Sequence, residues 1–258
     1  IAARSLPLEL PTHAHRPLPQ WMLRPCAPHR YIDMGTIAAS AIIRKAQIIL
    51  LDEKAGTRWS VNDELLPWLN EGQRAIVAIK PNANIKRAAI NLVAGTLQKL
   101  PNDCVQLIDV PRNIDANGSA GRAVRIVMRE MLDAQVPAWH SRPISRIVKH
   151  YIYSQQDPKI FYVYPSQPTQ SPGAVEVVYG AKPKDIQIGE PIVLDDIYEG
   201  VLLDYILYRA YSKDSEYANQ HRASAHYSAV INALGGRVQT ESGANPNVSV
   251  PANPATPQ

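Results

Sequence analysis

The spacing of apolar residues in this 258-residue chain switches twice, from helical to alternating and back, and the two switches dictate its architecture. From 36 to 52, Ile37, Ala41, Ile42, Ile48 and Ile49 recur at helical intervals while Lys45 marks the polar side. That is the pattern of a helix with one buried face. A second helix is expected over 60–80, with Ser60 as N-cap, Asp63 in the first turn, and Leu65, Leu69, Ile76 and Ile79 sharing a face before Pro81. Pro67 falls inside this pattern, where its missing N–H costs about 3 kcal/mol in a helix interior. The opening turns should therefore kink or tighten to 3₁₀.

The middle of the chain, 89–180, reads as strands. Asn117-Gly118 supplies the left-handed pair of a tight turn between two extended apolar runs. The run after it should place Val124, Ile126 and Met128 on one face and Arg125 and Arg129 on the other. Asp157-Pro158 turns between a Tyr-rich strand and an aromatic one, and in the last strand Val175, Val177 and Tyr179 face one way. Four or five strands this close in sequence predict a small antiparallel sandwich or half-barrel.

The helical period returns after Pro191. Over 195–211, Asp196 and Glu199 stand as N-cap and N3 ahead of Ile197, Val201, Tyr205 and Tyr208. "SKDSE" interrupts the period, and Ser212 or Asp214 can cap a partner helix over 213–234 carrying Tyr217, His221 or Ser224, Tyr227, Ile231 and Leu234. Gly235-Gly236 should stop it. The expected class is α+β, with N-terminal helices and a C-terminal helical hairpin packed together and a central antiparallel β domain. The flanks fit no element. Residues 1–33 hold six prolines and no apolar period, so they read as a disordered extension, with translation expected to start at Met34. Residues 236–258, with four prolines, read as a flexible tail.

Reactive chemistry is hard to find. Lys plus Arg number 27 against 23 Asp plus Glu, a net +4 too small and too evenly spread for an electrostatic grip on nucleic acid. Cys26 and Cys104 make no disulfide framework and no metal spacing. No apolar run reaches the roughly 18 residues needed to cross a bilayer. Phosphate loops, dinucleotide fingerprints and Gly-x-Ser-x-Gly elbows are missing. His221 and His226 are five apart, so on a helix they point about 140° away from each other. Capping explains Asp195-Asp196. No catalysis, metal or cofactor is expected.

What stands out is Arg209 among Tyr205, Tyr208 and Tyr211, followed by Asp214 and Glu216. The simpler reading is that Arg209 ties the inter-helix turn to Asp214 or Glu216. The alternative is an interface, where Tyr and Arg are enriched. Tyr205, Arg209, Tyr211, Asp214, Glu216, Arg222 and Arg237 are accordingly the candidate contacts with other subunits or a larger partner. Ala218, Ala223, Ala225, Ala229 and Ala233 would let a neighbouring helix come close.

In order along the chain, "RWSVNDELLPWLNEGQRAIVAIKP", "AGTLQKLP", "LIDVPRN", "DPKIFYVYP" and "LLDYILYRAYSKDSEYANQHRASAHY" resemble the head-to-tail adaptor (connector) proteins of short-tailed phages, over Met34 to Gly235. The resemblance implies helices at both ends around a β region and a homo-oligomeric ring, in the usual case a dodecamer. It also implies docking to the portal protein, a seat for tail hub or nozzle proteins, and a channel that passes DNA without specific binding. Such a protein sits in the virion neck after assembly in the host cytoplasm, without membrane contact or catalysis. Two rivals predict different geometry. A hydrolase would gather Asp195, Asp196 and His150 in one pocket. A nucleic-acid module would expose Tyr151, Tyr153, Phe161 and Tyr162 as a stacking surface.

Overall fold

The computed structural model describes residues 35–52, 58–115, 117–213 and 218–244. The expectations for 1–33, for Asp214 and Glu216, and for the chain beyond 244 lie outside them. Helix α1 is Ala39–Ile49, and its buried face is Ala39, Ile42, Ile43 and Ala46. Ile48 and Ile49, assigned to that face from the spacing, are nearly half exposed because the face continues from Ile43 through Ala46 to Leu50 instead. Helix α2, Leu66–Ile79, follows a π turn at Val61–Leu65. The Ser60 hydroxyl accepts from Asp63 N–H at 3.2 Å, and the Glu64 carboxylate accepts from Ser60 N–H at 2.9 Å. The wide turn corrects the expected kink or 3₁₀ opening, since it delivers Pro67 to the first turn of α2, where no intrahelical donor is required.

The β region holds eight strands among the described residues: β1 Ile85–Asn91, β2 Gly95–Lys99, β3 Cys104–Ile114, β4 Ala120–Ala123, β5 Arg125–Ile126, β6 His150–Ile152, β7 Ile160–Gln167 and β8 Ala174–Ala181. They form two sheets, ordered β1-β8-β3-β4 and β2-β7-β6-β5, with every pairing antiparallel except β5 with β6. Leu107, Val110, Val175, Val177 and Tyr179 of the first sheet bury against Tyr151, Phe161 and Val163 of the second, so the sheets pack as a sandwich. Gly118 has φ 77° in the tight turn between β3 and β4, as Asn117-Gly118 predicts.

One stretch departs from its pattern. Val124 is buried, but Ile126 and Met128 are 62% and 73% exposed. After two residues of β5 the chain turns at Met128 into helix α3, Arg129–Gln135, which the Arg129–Asp133 pair spans at 3.4 Å. Leu132 of α3 and Trp139 beyond it cluster with Ile152 and Tyr162 on the second sheet. The apolar residues read as a strand face thus divide between a sheet edge and a helix.

Two further helices close the described chain, α4 at Glu199–Ser212 and α5 at Gln220–Ala244. Side chains of α1, α2, α4 and α5 share one core, separate from that of the sandwich. The link from β8 to α4 runs through the helical part on buried amides. Asn70 accepts from Ile186 N–H at 3.0 Å and donates to Ile186 O at 3.1 Å, while Gln73 accepts from Val193 N–H at 2.7 Å. These bonds satisfy two polar side chains inside an apolar core, where unpaired amides would cost stability. Gly235 and Gly236 do not end α5, which continues to Ala244, so the expected tail begins with helix.

Candidate functional site

Helix α4 is the hub of the hairpin, with Val201, Leu202, Tyr205, Ile206, Leu207, Ala210 and Tyr211 buried around most of its circumference. Helix α5 differs sharply. Over 220–241 it buries Ala223, Val230 and Leu234 as one seam, and it leaves Tyr227, Ile231 and Val238 between 40% and 46% exposed. At 100° per residue, those three point about 40–80° away from the seam. The apolar stripe of α5 is therefore wider than the groove it fills. Ala225, Ala229 and Ala233 lie exposed on another side of the same helix.

The candidate residues mostly hold this hairpin together. Tyr205 packs edge-on to Tyr208 with centroids 5.8 Å apart, and burial beside Glu71 pushes its phenol up to about 12. Arg209 lies 3.5 Å from Glu71 of α2. Its expected partners, Asp214 and Glu216, lie outside the described residues. Tyr211 is buried between His226, stacked at 5.8 Å, and Arg222, which sits 5.5 Å from the ring and donates to the Tyr211 hydroxyl at 3.3 Å. His226 in turn lies 2.9 Å from Asp204. Arg237 stands 5.3 Å from the Tyr198 ring and donates to Ile197 O at 3.3 Å.

Two partners of this arrangement escape sequence reasoning altogether. Lys80, buried at the end of α2, pairs with Glu241 near the end of α5 and lies 5.6 Å from the Tyr198 ring. Burial pulls the Lys80 ammonium down, but Glu241 and Tyr198 outweigh it and raise the group above its ordinary value. Hydrogen bonds from Lys80 and Asn82 hold the Glu241 carboxyl below its own. Nothing local signals a contact between residues 161 positions apart.

At the base of the hairpin the expected capping box is corrected. Asp195, one residue earlier, caps the turn by accepting from Ile197 N–H at 2.9 Å. Asp196 instead accepts from Thr36 N–H at 2.7 Å, Ile37 N–H at 3.1 Å and the Thr36 hydroxyl at 2.5 Å, and Glu199 pairs with Lys45 of α1. Both acids fasten the N-terminal helix to the C-terminal one.

The rival sites do not assemble. Asp195 and Asp196 belong to the helical part, whereas His150 lies on β6, stacked 6.0 Å from Tyr164. Burial, with Arg125 and Lys149 nearby, pulls that imidazole down. Tyr151 and Phe161 are buried in the sandwich, with Tyr151 donating to Asp109 at 3.0 Å. Tyr153 accepts from Leu107 N–H at 3.2 Å, and Tyr162 meets Trp139 edge-on at 5.9 Å. These rings form no stacking platform. Among the described residues no helix is long and apolar enough to cross a membrane, and no three metal-ligating side chains gather.

No curated protein matches the chain. The family model described as SU10 adaptor protein matches residues 37–253, more than four-fifths of the chain, and takes in both helical ends and both sheets. Fold, scattered acids and a hairpin with an uncovered margin fit a structural protein, and the chain belongs to the SU10 adaptor protein family, as its resemblance to phage head-to-tail adaptors implies.

Proposed function

We propose that this phage adaptor forms a ring between the portal protein and the tail, a dodecamer that seats tail hub or nozzle proteins. The ring passes DNA without gripping it. The observation that carries the reading is the uncovered margin of α5, where Tyr227, Ile231 and Val238 extend the apolar seam beyond what α4 buries. A head-to-tail contact between copies that closes by rotation gives a ring, and such a margin is the kind of surface it covers. Tyr205 and Tyr211 are occupied inside the helical part, so their part in the interface is indirect: Tyr205 seats α4 on α2 beside Glu71, and Tyr211 holds α4 to α5 through Arg222 and His226. Arg209, Arg222 and Arg237 border the hairpin as polar contacts. The modest net charge of +4 suits a channel that must release DNA.

The test is Ile231→Asp, measured by sedimentation beside the unaltered protein. Loss of assembly with unchanged monomer melting supports the reading. Assembly that tolerates the charge contradicts it.

A further inference from the structure

β1 is the outermost strand of the first sheet, and half of its backbone faces away from β8. Flanking bonds identify which half. Ala181 N–H donates to Asn84 O at 2.8 Å and Leu92 N–H to Gly173 O at 2.9 Å. With the register Lys86↔Tyr179, Ala88↔Val177 and Ile90↔Val175, the even-numbered residues bond inward. Ile85, Arg87, Ala89 and Asn91 then aim their N–H and C=O groups out of the sheet, and among the described residues those groups have no partner. Their side chains lie on the face turned away from the sandwich core, since Ala88 and Ile90 are the ones that pack on it.

An open edge of this kind is a template for another strand, and proteins usually blunt it with proline, a bulge, brevity or a cover. β1 has seven residues, no proline and an unbroken register. The other edges are blunted, β2 and β4 by register shifts and β5 by its length of two residues.

Charge says what could pair there. A shallow cavity of about 210 Å³ adjoins the edge, lined by Arg87, Ala89, Arg112, Ile114 and Glu176 among others. Glu176 is taken by Arg112 at 2.6 Å, whereas Arg87 has no ion-pair partner among the described residues. A second copy of this chain is a poor occupant, because its other edge strands carry Lys99, Arg122 and Arg125 and no carboxylate. Like charges set opposite each other across a strand pair are destabilising.

We propose that the free edge of β1 is a docking site for an extended segment of a different protein, which adds as a further strand and sets a carboxylate against Arg87. The inference rests on the adaptor reading only in placing that protein in the virion; strand addition itself is tested on the full chain alone. Fluorescence anisotropy compares two labelled peptides of alternating Thr and Val, one with a central Glu and one with a central Lys, and a single-stranded oligothymidylate. The Glu peptide is expected to bind roughly tenfold tighter than the Lys peptide, a difference of about 1.4 kcal/mol. Ala89→Pro removes an outward N–H and leaves the inward ladder intact, so it should abolish binding without changing the melting temperature. Arg87→Glu, which leaves the backbone untouched, should invert the preference between the peptides. The proposal is overturned by any of four results: neither peptide binding at millimolar concentration, binding that Ala89→Pro leaves intact, preferential binding of the oligonucleotide, or a self-association that Ala89→Pro abolishes.

Discussion

A single carboxylate fastens the start of the N-terminal helix to the base of the C-terminal hairpin. Asp196 accepts from two backbone N–H groups and the Thr36 hydroxyl, and that hydroxyl, with the N–H groups of Ile37 and Thr36, holds its carboxyl below the ordinary value. A carboxylate depressed by folding contributes stability above its unfolded value of about 3.9 and loses it as pH falls through the folded one. Asp196→Asn should therefore lower the melting temperature at neutral pH and lower it less in acid, below about pH 3.9. An equal loss at both would show that the charge is not what matters. In the helical core, Leu202 is fully buried, and Leu202→Ala should cost about 2–5 kcal/mol in chemical denaturation. A Cβ on Gly180 would come within 2.4 Å of Pro81 O, so Gly180→Ala should cost about 1–3 kcal/mol by forcing the turn off β8.

Helix α5 shows at the scale of an element how tertiary contacts override a local stop signal. Two glycines in sequence each cost about 1 kcal/mol against alanine in a helix interior. Past them, Arg237 on Tyr198 and Glu241 on Lys80 and Asn82 secure the next turns. No neighbour stands within 4 Å of a Cβ at either glycine, so Gly235→Ala with Gly236→Ala should raise stability by up to about 2 kcal/mol. Lys80→Met should instead speed amide exchange over 237–244 while leaving α4 protected; uniform exchange would contradict the clamp. The same contrast marks what could be read in advance. Apolar period gave α2, β7 and β8 because each buries a regular face, and α4 because it buries most of its circumference, while Ser60 declared its cap locally. The Asp196 clamp and the seating of α3 and the short β5 on the second sheet depend on partners distant in the chain, so no local pattern encodes them.

At the scale of the molecule, two cores divide the work. The helical core joins α1 and α2 to α4 and α5 and presents the margin of α5, while the sandwich carries an open edge at β1. Family membership was legible from five stretches in order along the chain, all of which fall within the matched residues 37–253. The candidate contacts were legible only as a neighbourhood, since Tyr205 and Tyr211 turn inward and Arg209 meets Glu71, a residue 138 positions earlier by number. The most direct test of the ring is the absolute mass, by multi-angle light scattering, of the complex formed when the purified full chain meets purified portal protein. The expected mass is that of the portal assembly plus a closed set of adaptor copies, in the usual case a dodecamer. A chain that stays monomeric and leaves the portal mass unchanged at every concentration would contradict it.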